Sequence, residues 1–513
     1  MVAKLLTTSI AAPGFMGLNT QDSIVSLESG FATVAANCVI DKFGRIGARK
    51  GWTRQHTGNV DLGSSNIQAI GELIANDGTS YIIAAGNNRL YRLSGTTLTT
   101  LTYGGGGTAP TITASNWQMA PLNGILYLYQ SGHDPLIFDP AVSTTTFRRV
   151  SEKTGYVGTV THNNCAISAY GRTWTANNTS SKTIIQFSDL LSGFVLSTGT
   201  AGTLDISEIW PAGADEIVGL AAHNGFLIVF GRRQILIYAN AQDPASLTLQ
   251  DAITGVGCVA RDSIVTTGSD VVFLSDSGVK SLMRVIQEKS APLRDLSANV
   301  RDDLLAAIAI ESNVANIKAA HSDKEGFYLL VLPSAGILYC FDIRVTLQNG
   351  AARATTWDGL LPTAFCYKQN KDLLLGRPGY VGKYDTYKDD DATYNLRYYT
   401  NYFDFGVPTA LKIMKKVGIT TIGGGGYPIS LKFGYDYTDI YNSRIFNLAN
   451  AAVAEYNIAE YNIGEYGGSA FDNRVINIGG AGKVIQLGFE TTVNGKPFSL
   501  QKIDVFTKVG KTR

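Results

Sequence analysis

Histidines, cysteines and clustered acids are where chemistry would be sought first in this chain, and their spacing argues against it. His56, His133, His162, His223 and His321 stand in turns or at the starts of apolar runs. No two of them share the short spacing by which a helix or hairpin presents paired imidazoles to zinc. Cys38, Cys165, Cys258, Cys340 and Cys366 are far apart and form no Cys-x-x-Cys pair. They read as buried free thiols, and an odd, scattered count fits folding in a reducing compartment. "KDDDATY" at 388–394 carries the acids of a calcium loop without its glycine and terminal glutamate, and reads as a solvated linker. The glycine runs at 103–107 and 423–427 lack the helix and Lys-Ser/Thr that complete a phosphate cradle. "SDSG" at 275–278 reads as a hairpin turn. Nucleophile elbow, P-loop and paired-carboxylate signatures are missing. The expectation is a non-enzyme with no catalytic residue, no metal ligand set and no cofactor.

What such residues would be mounted on is mostly β. The chain has 513 residues, 45% hydrophobic and 17% charged, with 55 glycines and Thr, Val, Ile and Tyr recurring throughout. That mixture suits pleated, half-buried strands, and the length suggests more than one core. A formal charge of +1 speaks against a broad basic surface that grips nucleic acid, though not against a conduit through which it slides. The opening "MVAKLLTTSIAAPGF" imitates a secretory signal, but its apolar run is broken by Thr7, Thr8 and Ser9. No stretch reaches the ~20 apolar residues of a membrane span. The reading is a soluble protein with no membrane partner.

One pattern repeats from about 55 to 390: an apolar strand, a Gly/Asn/Asp/Ser turn, a second apolar strand. "YIIAAGNNRLYRL", "GFLIVFGRRQILIYA" and "GFYLLVLPSAGILYCFD" are clear cases. Starts near 81, 124, 164, 225, 270, 326 and 372 lie 40 to 61 residues apart, near the length of one propeller blade. This predicts a β-propeller of six or seven blades; the competing reading is a set of unrelated hairpins in one large sandwich. A helical insertion is predicted at 293–311, from apolar residues at helical spacing with Ser297 as N-cap. From 391 to 513 the strands lengthen, "NGK" at 494–496 marks a hairpin, and a separate β-sandwich-like domain is expected. The period-five repeat "AEYNIAEYNIGEYGG" at 454–468 gives neither helix nor strand a common face. It reads as an exposed loop, a candidate subunit contact and not a ligand site.

Residues 1–54 differ from everything after them and are read as an extended N-terminal arm. Lys42, Arg45, Arg49, Lys50 and Arg54 crowd around glycines with no acid among them after Asp41. Phe31, Val34, Ala35 and Cys38 suggest a short helical turn, followed by a hairpin with Arg45 and Arg49 outward and Ile46 and Ala48 inward. Such an element needs another surface to cover it. That surface is a neighbouring subunit or the adaptor above; the alternative is a strand pair that closes the first blade, and both can hold together.

With arm, propeller and helix placed, the layout resembles the tail-nozzle (tail-hub, or phage-stabilisation) proteins of short-tailed bacteriophages. Gly17, Asn19, Gln21, Asn37, Gly44, Arg49 and Gly51 fall where that family's N-terminal pattern has them. "VGLAAHNGFLIVFGRRQILIYANAQDP" at 218–244 looks like its central blades, and the helix, "GFYLLVLPSAGILYCFDIR" and "TTWDGL" keep its order. The resemblance implies a structural virion protein, made in the host cytoplasm and resident in the tail. It implies a homo-oligomeric ring, a hexamer, below the portal and head–tail adaptor, with tail needle, tailspike or fibre proteins as further partners. Genomic double-stranded DNA would be retained by the ring and ejected through its lumen. Asn19, Gln21, Asn37, Arg45, Arg49 and Trp52 are then the candidate assembly-interface residues. A propeller scaffold or glycan-binding module, and behind it a propeller hydrolase, are the alternatives.

Overall fold

The structure, a computed structural model, describes residues 5–288, 295–448 and 471–510. Seven groups of strands succeed one another along the chain, the sixth continuous with a sandwich sheet, and their first strands pack side by side around one axis until the seventh meets the first. Blade I is Ile67–Ile74, Ser80–Gly86, Arg89–Ser94 and Thr97–Thr100. Blades II, III and IV begin at Trp117–Leu122, Asn163–Ala169 and Ile217–His223. Blade V has three strands, from Val265–Thr266 to Gly278–Ser281, and helix Leu282–Glu288 begins where a fourth would start. Blades VI and VII begin at Lys318–Ser322 and Ala364–Tyr367. The fold is therefore a β-propeller, with six blades of four or more strands and one thinner sheet.

Local chemistry explains the repeats. Asn87–Asn88, Asn123–Gly124 and Asn224–Gly225 all have positive φ, the turn geometry that lets a two-residue loop follow the strand twist. Blade strands are buried on both faces, as at Ile125–Gln130 and Phe327–Leu332, because each blade is sandwiched between two others. Separate apolar clusters fill successive gaps: Leu126 and Phe138 with Leu73 between I and II, Trp174 and Phe187 with Leu236 between III and IV. Each such side chain contributes roughly 1.5–3 kcal/mol. Each of the seven predicted hairpins belongs to one of these sheets, and "SDSG" is indeed the turn of blade V.

The C-terminal region is a two-sheet sandwich. One sheet orders Phe471–Asn477, Lys412–Gly423, Phe498–Val509, Ile46–Ala48 and Cys38–Ile40, with Leu5–Ala11 also on the Phe498–Val509 strand. The other orders Phe31–Ala36, Tyr394–Thr400, Ile485–Val493, Pro428–Tyr435 and Asn442–Asn447. Val417, Ile419, Ile503 and Val505 share a core with Leu431, Phe433, Leu487 and Phe489. Asn494 and Lys496 form the predicted turn, where their backbone N–H groups donate to the Tyr427 hydroxyl.

Four expectations need correction. Residues 1–54 are not a free-standing arm: they supply strands to both sandwich sheets, and Gly51–Arg54 is the closing strand of blade VII, not of the first blade. Phe31–Ala36 is a strand instead of a helical turn, held between Tyr394–Thr400 and the outer strand of blade VI, Ala352–Trp357. The hairpin of Cys38–Ile40 with Ile46–Ala48 does form, but Arg45 and Arg49 are buried in place of pointing outward. The insertion is a 3-10 turn, Ala298–Val300, running into helix Arg301–Ala309. Ser297 does not cap it; its hydroxyl accepts from the Val279 N–H and donates to Asp295. The 454–468 repeat lies outside the described residues.

Candidate assembly site

Asn37 is the corner on which the N-terminal segment turns from one sandwich sheet to the other. Its φ of 53° lies in the left-handed region that asparagine tolerates. Its amide nitrogen donates to Asp358 and to the Asn395 carbonyl (2.9 Å). Its amide oxygen accepts from Arg49 Nε (3.0 Å) and the Asp358 N–H (3.1 Å). The side chain's capacity is used up.

Arg49 is fully buried. Its two terminal nitrogens meet both oxygens of Asp389 at 2.8 and 2.7 Å, a bidentate pair that lysine cannot reproduce. The Tyr394 ring lies 4.0 Å from its guanidinium carbon, and the Tyr394 hydroxyl donates to the Arg49 carbonyl. Burial works against this charge, but the bond and attraction of Asp389 offset it and raise the Arg49 pKa. Asp390 pairs with Arg54 (2.5 Å), whose guanidinium also covers the Tyr380 ring. The acidic run at 388–394 is thus the counter-ion of the basic N-terminal run. It is not a solvated linker.

The other candidates have internal roles as well. The Asn19 oxygen accepts from the N–H groups of Gln21 and Asp22 (3.0 and 3.1 Å), shaping a turn. Gln21 donates to the Asp302 carboxylate and accepts from the Asp302 N–H, serving the first turn of helix Arg301–Ala309. Arg45 Nε meets Asp41 at 2.9 Å over the Phe43 ring. Trp52 packs with Tyr384, Leu373 and Trp357, and Gly382 leaves room for its ring. Of the six, only Gln21 is exposed. Five therefore secure the segment to its own chain. Asp358, Asp389 and Tyr394 complete the arrangement; none was a candidate interface residue, although "KDDDATY" at 388–394, read as a linker, holds two of them.

Around this lock the surface opens into a cleft of about 680 Å³ between hairpin, propeller and sandwich. Lys42, Phe43, Lys50, Lys324, Arg344 and Phe498 line it, and Phe43 is 42% exposed at the hairpin tip. Asp41, Glu325 and Asp385 line it too, so its walls are aromatic with charges of both signs.

The propeller axis is narrow. Arg261, before blade V, reaches across to Asn116, the Trp117 carbonyl (3.0 Å) and the Asn164 carbonyl, tying blades II, III and V together. The remaining cavity is about 250 Å³. That is below a typical single-ligand pocket and closed to a duplex whose major groove alone is ~12 Å wide. Among the described residues no three His, Cys, Asp or Glu side chains cluster as a metal site would need. No helix among them is long and apolar enough to cross a membrane.

The sequence matches no family model and no curated protein. Solved structures similar to it include the Pan2 WD40 domain of Neurospora crassa, at 11% identity and a TM-score of 0.38, covering 65% of this chain and 96% of that one. YCF48 of Cyanidioschyzon merolae is similar at 11% identity and a TM-score of 0.37, covering 65% and 98%. PorZ of Porphyromonas gingivalis, a surface component of a type-IX secretion system, is 13% identical with a TM-score of 0.35. The match covers 64% of this chain and 37% of PorZ.

Proposed function

We propose that this chain is the tail-nozzle subunit of a short-tailed bacteriophage. It is a structural virion protein whose closed ring, six-fold by analogy with the family it resembles, sits below the portal and adaptor. The ring retains packaged DNA, conducts it at ejection, and carries the needle, tailspike or fibre proteins. One observation supports this above others: most residues of the resembling N-terminal pattern are ones the fold cannot exchange. Gly17, at φ 85°, would place a Cβ 2.7 Å from the Ala354 carbonyl oxygen, and Gly44, at φ 72°, would place one 2.7 Å from Pro13. Gly51 would drive a Cβ into the Lys388 carbonyl. Asn37 and Arg49 form the lock. That these positions join the N-terminal segment to the propeller and the sandwich is what supports the reading.

In this reading the DNA runs through the hole between subunits, because the propeller axis has no room for a duplex. Cyclic closure needs heterologous contacts, and the cleft beside Phe43 and the loop with exposed Ile24 and Val25 are the surfaces offered for it. Electron microscopy of the purified full chain, and of particles carrying a tagged copy, tests the reading. Rings with a central hole, and the tag at the tail, are expected. A monomer at all concentrations that is missing from particles would overturn it.

A further inference from the structure

The central cavity of the propeller holds an imbalance of charge that the protein alone does not settle. Three charged side chains line it: Arg261, Asp262 and Lys318. Arg261 is fully engaged, with Asn116, Asn164, the Trp117 carbonyl and Asp262 taking its donors. Asp262 accepts from both Arg261 and the Lys318 ammonium. The lysine side chain is 11% exposed and, among the described residues, bonds to Asp262 alone. An ammonium has three N–H donors, so two are left facing the cavity. Two cations against one anion leave a net positive charge inside low-dielectric walls, where it interacts strongly with any anion that enters.

Neutral donors converge on the same space. Gln68, on the first strand of blade I, makes no side-chain hydrogen bond among the described residues. Gln118, on the first strand of blade II, accepts from the Ala166 N–H through its oxygen, which leaves its NH2 group available. Lys318, Gln68 and Gln118 all have protons to offer, Asp262 is the one carboxylate in the lining, and the 250 Å³ volume admits only a small guest.

We infer that the propeller cavity is a binding site for a small oxyanion, a carboxylate or phosphate group, held by Lys318 with Gln68 and Gln118 donating from the facing blades. Inside the cavity the anion joins blades I, II and VI and complements the link that Arg261 makes to II, III and V. The site is independent of ring formation and goes beyond the assembly role proposed above.

The test uses the full-length protein, with inorganic phosphate and acetate as separate probes at constant ionic strength. Calorimetric titration and melting temperature are the readouts. A saturable heat and a saturable rise in melting temperature are expected with at least one probe; which one responds tells phosphate from carboxylate. Lys318→Met should weaken that binding roughly tenfold or more, the value of one charged hydrogen bond. Gln68→Leu, which strands no protein partner and should fold normally, should weaken it severalfold and covers the case in which Lys318→Met does not fold. No saturable binding of either probe to the wild type would overturn the inference. So would a folded Lys318→Met or Gln68→Leu protein that binds as the wild type does.

Discussion

Replacing Arg49 by methionine keeps most of the side chain's volume and removes its charge, and so isolates what the lock contributes. Asp389, with 16% of its side chain exposed, would keep its charge and lose both bonds to the guanidinium. The Asn37 oxygen would lose one of its two donors, and the Tyr394 ring its cation. Breaking a buried pair from one side costs about 3–5 kcal/mol, because a carboxylate is left without its counter-charge. The cation–π contact adds up to about 2 kcal/mol when desolvated, but these terms overlap and do not sum. The expected destabilisation is about 4 kcal/mol. Arg49→Lys, which keeps charge but not the fork, should cost about 2 kcal/mol. Urea titration followed by tryptophan fluorescence suits the question, since Trp52 and Trp357 flank the lock. A shifted midpoint at unchanged slope measures the effect. The double variant Arg49→Met/Asp389→Leu should recover much of the loss, because no charge is stranded. A single-variant cost under about 1 kcal/mol, or a double variant no better than Arg49→Met, would refute the reasoning.

Gly51→Ala should cost several kcal/mol and lower soluble yield, because its Cβ collides with backbone, while Gly106→Ala, with open space around it, should stay within about 0.5 kcal/mol in the same urea titration. Removing residues 1–54 should give insoluble protein, since the deletion takes the last strand of blade VII and strands from both sandwich sheets; a soluble, cooperatively melting fragment would contradict the topology. Burial would raise the Asp262 pKa, but Arg261 and Lys318 outweigh it and hold it at about 2, below the ordinary 3.8. The resulting stabilisation of about 2 kcal/mol is present above pH ~4 and lost as pH falls toward 2, so Asp262→Asn should flatten that limb of the stability–pH curve. Burial pushes the Cys165, Cys258 and Cys366 thiols up to about 12 and raises Cys38 and Cys340 as well, so an alkylating reagent at pH 8 should label none until urea is added.

The propeller was legible because its signal is local and repeated. A turn such as Asn224–Gly225 between apolar strands specifies a hairpin without help from distant chain, and seven such hairpins at blade spacing specify the ring. The N-terminal segment was misread because its conformation is decided elsewhere. "FATVAA" has alanines at helical spacing and is small enough for either element. It becomes a strand because Tyr394–Thr400 and Ala352–Trp357 supply hydrogen-bonding edges on both sides, and its small side chains fit between them. Ladder partners more than 300 residues away override local propensity, and no window of the sequence contains them.

The charges tell the same story with one difference: the signal was in the sequence. In a chain of net charge +1, a basic run at 42–54 and an acidic run at 389–391 are each unbalanced locally and cancel one another. Read together they predict pairing, and the structure has Arg49 on Asp389 and Arg54 on Asp390. What the runs do not reveal is which pair matters. Arg54 is half exposed, and an ion pair in that position contributes about 1 kcal/mol or less, whatever its length. Arg49, five residues earlier, is sealed under Tyr394 and Trp357. Arg54→Ala should therefore move the urea midpoint only slightly, and most of that small effect should vanish in 1 M salt, where the Debye length falls to about 3 Å. The cost of Arg49→Met should persist there. Equal costs for the two substitutions, or equal sensitivity to salt, would mean that burial is not what separates the lock from the surface pair beside it.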